Sequence, residues 1–162
     1  MSNILQPSGP FRRILFCAGF SEGADPAFAV ALAIAKQNPG SQLFLLHVIP
    51  ETDAEFWKSY LYEVDNVDEQ ARRVMDEKMA RAYLDRVPPG LAVKPLYRVG
   101  RDHLEILEAA RELAADLILI NRDGGGLLHR ALFGKTAEKV VRHAECPVLV
   151  VPMAQNAGPG VC

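Results

Sequence analysis

Cysteine is scarce in this chain, and the little that is present forms no pattern. Cys17, Cys146 and Cys162 are odd in number and show no C-x-x-C spacing, so neither a disulfide framework nor a thiolate zinc site is encoded. Cys17 and Cys146 read as core thiols, since a free cysteine behaves as a small hydrophobe; Cys162 ends a Gly/Pro-rich tail and reads as accessible. Long apolar runs are also missing. The longest, Ala27–Ala35, has less than half the ~20 residues that cross a bilayer, and the first ten residues lack the charged start and apolar centre of a secretory leader. A cytoplasmic protein without a membrane segment is therefore expected. Charge of one sign is lacking as well: 18 Lys+Arg face 20 Asp+Glu, a formal net charge of −2. Without a basic field, non-specific nucleic-acid binding is disfavoured. His47, His103, His129 and His143 form no pair at metal-ligand spacing, so no metal site is expected.

What remains suits one globular domain: 162 residues, 49% hydrophobic and 23% charged. Arg13 to Ala18 is a short apolar run closed by Gly19, the pattern of a strand buried on both faces. A first helix follows over Ala27 to Gln37, with Pro26 at its start and Asn38-Pro39-Gly40 as its stop. Leu43 to Ile49 is a second buried strand, and Val67 to Val87 carries an amphipathic helical stripe. Ala92 to Val99 contains Pro95, which places it at the border of a sheet. A helix over Asp102 to Ala115, a strand over Leu117 to Ile120, a helix over Gly134 to Ala144 and a last strand over Pro147 to Val151 complete the series. Alternating strands and helices with near-continuous apolar strands predict right-handed crossovers and a doubly wound parallel sheet. Residues 1–11 and 153–162 are expected to be flexible flanks of a domain over 12–152. The aromatic segment Phe56-Trp57-x-x-Tyr60-x-Tyr62 is expected to pack as a helix, with an interaction patch as the alternative.

In such sheets ligands bind outside the carboxyl ends of the strands, where the strand order reverses. Two loops therefore become candidates: Gly19 to Pro26, and Asn121 to Lys135 with its run Gly124-Gly125-Gly126. Gly134-Lys135-Thr136 stands at a helix start, where free N–H groups, an ammonium and a hydroxyl would converge on an anion. A full Walker A motif would need glycine where His129 stands. The bland alternative is a flexible turn, a solvated lysine and a capping threonine.

From Ala114 to Val151 the sequence reads Ala-Ala-Asp-Leu-Ile-Leu-Ile, then the glycine loop, then Gly-Lys-Thr-Ala-Glu-Lys-Val-Val-Arg-His-Ala-Glu-Cys-Pro-Val-Leu-Val-Val. This stretch resembles the C-terminal half of universal stress proteins. Arg13 to Glu22 resembles the family's opening strand and loop, and Leu45 to Ile49 its second strand. The resemblance implies a single-domain, adenine-nucleotide α-hydrolase-like fold with five strands ordered 3-2-1-4-5. It also implies homodimers pairing their last strands, here Pro147 to Val151. In one branch of the family, ATP is held by G-x2-G-x9-G-[S/T]. Here Gly124 and Gly134 keep the nine-residue gap, but Asn121 replaces the first glycine and Lys135 the Ser/Thr, with Thr136 one place late. Gly19 falls where nucleotide-binding members carry an adenosine-contacting Asp, and Leu43 near where they pack the adenine ring.

Losing that carboxylate, and gaining a side chain at Asn121 where backbone must approach phosphate, both argue against tight ATP binding. Lys135 argues the other way, as a cation at a helix start. The expected function is that of a dimeric, non-catalytic stress-response protein acting through its surface. The alternative is an ATP- or AMP-binding regulatory module using Gly124 to Thr136. Slow ATP hydrolysis stays open, although Asp123, His129 and Thr136 form no convincing catalytic arrangement. A related pyrophosphatase would need Ser-Gly-Gly-x-Asp-Ser where this chain has Gly19 to Asp25, so that class is excluded.

Overall fold

A computed structural model of the chain describes residues 11–20, 25–52, 67–122 and 135–152. Runs of β-branched and large apolar residues form five strands: β1 (Arg13–Cys17), β2 (Gln42–Ile49), β3 (Ala92–Val99), β4 (Leu117–Asn121) and β5 (Val148–Val151). All neighbouring pairs are parallel, in the order β3-β2-β1-β4-β5. Because the chain winds outward in both directions from the centre, the order reverses between β1 and β4. A crevice opens there at their carboxyl ends.

Among the described residues four helices cover the sheet: α1 (Pro26–Gln37), α2 (Val67–Ala82), α3 (Asp102–Glu112) and α4 (Lys135–His143). Alternate strand residues point to opposite faces, which divides the core in two. Ile14, Phe16, Leu43, Leu45, Leu117 and Leu119 pack with Phe28 and Ala31 of α1 and Met79 of α2. Leu15, Phe44, Leu46, Ile118 and Ile120 pack with Ile106 and Ala109 of α3 and Ala137 and Val140 of α4. Both sheet faces are therefore dry, which is what near-continuous apolar strands require.

Two helices stop earlier than their apolar patterns predict. α2 ends at Ala82, and a tight turn over Leu84–Arg86 leads to an extended Val87. Pro88 disfavours helical geometry in the residue before it, and Tyr83 turns inward onto Phe16 and Phe28. α3 ends at Glu112, with Ala114 in the left-handed region at φ +49°. The reversal brings the Asp116 carboxylate onto the N–H groups of Arg12 (2.8 Å) and Arg13 (3.1 Å), anchoring the start of β1. β3 lies at the sheet edge as Pro95 demands, and Tyr97 ties it to α2 by donating to Asp76 at 2.9 Å. The Cys17 and Cys146 side chains pack against the second core, and burial pushes their thiols up to about 12 and about 11.

The expected aromatic helix over Glu51 to Val64 falls almost wholly outside the described residues, as do both expected flanks except residue 11. No helix among the described residues is long and apolar enough to cross a membrane.

Candidate functional site

The crevice lies at the carboxyl ends of β1 and β4. Phe16 lies opposite Leu119, so Gly19 and Asn121, each a short step further on, both reach its rim. Gly19 has ordinary backbone angles, and a Cβ placed there would meet nothing within 4 Å. Its missing side chain is thus not demanded by the fold. Phe20, next in line, is strained at φ +51°, a conformation costly for an aromatic residue.

A buried polar network holds this corner. Asp25 precedes Pro26 and caps α1, its Oδ1 accepting the Phe28 N–H at 3.2 Å. Asn121 Nδ2 donates to the same oxygen at 2.7 Å, and Asn121 Oδ1 accepts the Ala27 N–H at 3.2 Å. The Tyr83 hydroxyl donates to Asp25 Oδ2 at 3.0 Å and accepts the Phe20 N–H at 3.2 Å. Burial, and then the neighbouring Asp25 carboxylate, push the Tyr83 phenol well above its usual range. Beneath Phe20, with ring centroids 4.3 Å apart, His47 donates through Nδ1 to the Ala18 carbonyl at 3.0 Å. Burial holds its imidazole below the ordinary value of 6.5.

Asn121 therefore does not project into the phosphate path as a loose side chain. It is clamped to the first turn of α1, where it consumes an N–H that could otherwise face an anion. Lys135 and Thr136 open α4 with Lys135 exposed and Thr136 half-buried, positioned by Ala137 and Val140 in the core beneath. Gly124, Gly125, Gly126 and Gly134 lie outside the described residues. Leu43 requires a correction: it is 0% exposed, the second residue of β2, and pairs with Ile14 and Val93. Six residues, or about 20 Å of strand, separate it from the carboxyl end of β2. It fills the core and offers no surface to an adenine ring.

The residues missed by motif comparison are Asp25, Tyr83, Phe20 and His47. Asp before Pro at a helix start signals an N-cap, so Asp25 was readable as a cap. Its partnership with Tyr83, 58 residues away, was not.

A doubly wound sheet of this order, with its crevice between strands 1 and 4, defines the adenine-nucleotide α-hydrolase-like class of α/β proteins. Within that class the chain belongs to the universal stress protein family, whose model matches residues 10–152. A universal stress protein of Thermus aquaticus is 34% identical, the match covering 87% of this chain and 98% of that protein. The solved structure of MJ0577 from Methanocaldococcus jannaschii superposes with a TM-score of 0.68 at 30% identity, covering 91% of this chain and 99% of the other. A universal stress protein of Archaeoglobus fulgidus solved in complex with dAMP has the same fold, with a TM-score of 0.57 at 17% identity over 87% and 98% of the two chains.

Proposed function

We propose that this chain is a dimeric, non-catalytic regulatory protein of the universal stress type, acting in the cytoplasm through its surface and not by turning over ATP in the crevice. The observation that carries this reading is the Asn121 clamp: both functional ends of its amide are engaged, on Asp25 and on the Ala27 N–H. Opening the crevice would break two hydrogen bonds in a partly buried site, each worth about 1 kcal/mol net. The carboxylate that the family places at Gly19 is absent as well. Dimer formation through β5 is supported by its position at the sheet edge and by exposed Leu149 (39%). An unpaired apolar edge strand otherwise invites aggregation.

A second reading has its own support. Lys135 is an exposed ammonium in the first turn of α4, where a helix dipole and a cation together favour an anion. The dAMP complex of the A. fulgidus protein makes AMP a fitting probe alongside ATP. Native mass spectrometry of fresh protein, followed by calorimetric titration of wild type and Lys135→Ala, separates the two readings. No crevice binding at millimolar nucleotide is the expected result. Nucleotide binding that Lys135→Ala weakens would establish the ATP- or AMP-binding module instead.

A further inference from the structure

On the α1/α2 side of the crevice corner lies a cavity of about 370 Å³, within the range of roughly 300–1,000 Å³ typical of small-molecule sites. Its aromatic lining comes from Phe20 and Tyr83, and its acidic group is Asp25; Lys78, Arg81 and Arg86 supply the cations. We propose that this pocket binds a small aromatic anion: a flat ring bearing a hydrogen-bond donor, joined to a phosphate or carboxylate.

The arrangement of groups sets that chemistry. Among the described residues, Asp25 Oδ1 is saturated by Phe28 and Asn121, whereas Oδ2 accepts only the Tyr83 hydroxyl. A carboxylate has about four acceptor positions, so one on Oδ2 remains for a ligand amine or hydroxyl. The Phe20 ring is held against His47 and lines the cavity, giving a π surface for a planar ring. Lys78 and Arg81 are one helical turn apart and so share a side of α2, and Arg86 joins them from the turn after that helix. Among the described residues these three make no ion pair, while Arg98, Arg111 and Arg142 do. Asp76 on the same helix is engaged by Tyr97. Among the described lining residues, three cations stand against one carboxylate, a surplus suited to an anionic group, with arginine adding forked recognition. Phe20 is moreover held in a strained conformation at this wall, and such strain concentrates at ligand sites.

The pocket shares Phe20, Asp25 and Tyr83 with the buried network at the crevice corner, but neither Asn121 nor Lys135 lines it. The test is calorimetric titration of the full chain with AMP, 4-aminobenzoate and inorganic phosphate. Wild type, Lys135→Ala and the double variant Lys78→Ala/Arg81→Ala are compared, with amide NMR shifts of Phe20 and Ala82 as a second readout. Both altered positions of the double variant are exposed, so the fold should persist. Saturable binding of at least one ring-bearing probe is expected, tighter than phosphate alone and unchanged in Lys135→Ala. The double variant should weaken it about tenfold. Binding of AMP alone identifies a nucleotide, of 4-aminobenzoate alone an aromatic acid, and of both a site that reads ring and charge together. The proposal is overturned by no saturable binding, by equal binding in the double variant, or by loss in Lys135→Ala alone.

Discussion

The Tyr83 hydroxyl joins Asp25 Oδ2, to which it donates, and the Phe20 N–H, from which it accepts. Tyr83→Phe keeps the ring packing on Phe16 and Phe28 but removes the hydrogen bonds to Asp25 Oδ2 and from the Phe20 N–H. A loss of about 1–3 kcal/mol should appear in urea unfolding, with the Phe20 amide resonance shifting most. A variant as stable as wild type would show that the network contributes little. His47 gives a pH signature. Its folded-state value lies below 6.5 because burial disfavours the charged ring. Lys78 acts in the same direction, and the Ala18 hydrogen bond and Asp102 act against it. Below pH 6.5 the unfolded chain binds a proton that the folded chain does not, so this contribution is complete above 6.5 and declines as pH falls toward the folded value. His47→Gln should flatten that part of the stability profile between pH 7 and 5; an unchanged slope would assign it to other groups.

At the scale of elements, the borders of α2 and α3 were only partly legible. Apolar periodicity carried α2 to Val87, yet Tyr83 left the helix to bury its ring. Tertiary packing outweighs a few tenths of a kcal/mol of local propensity. β3 was readable in full, because Pro95 excludes a central position and turn residues bound it on both sides. Gly100, between β3 and α3, has φ +156°, and an added Cβ would lie 2.6–3.0 Å from the Glu105 side chain. That side chain pairs with Arg98 at 3.8 Å. Gly100→Ala should therefore cost about 1–2 kcal/mol, seen as a lowered Tm. A neutral outcome would mean that Glu105 swings away freely.

For the whole molecule, β5 leaves one side of the sheet unpaired. Val148 and Val150 face the second core, whereas Leu149 is exposed, as is Val141 of α4 (51%). Leu149→Lys therefore probes association with little effect on the fold. Sedimentation should show a dimer for wild type and at least tenfold weaker association for the variant. An unchanged dimer would move the interface elsewhere.

Local pattern alone determined the parallel doubly wound class, because fully buried strands must read as apolar runs and helices as stripes. The glycine-loop spacing and its departures at Asn121, Lys135 and Gly19 were likewise readable residue by residue. Only the tertiary structure decided what those departures do. Asn121 and Asp25 are 96 positions apart, and Asp25 and Tyr83 are 58 apart, so no helical or strand period connects them. Their meeting depends on the strand order that sets β4 beside β1 and on the packing of Tyr83, just past α2, against Phe28 of α1. Leu43 shows the converse: its place near a family motif suggested a ligand, but its register deep within β2 made it core.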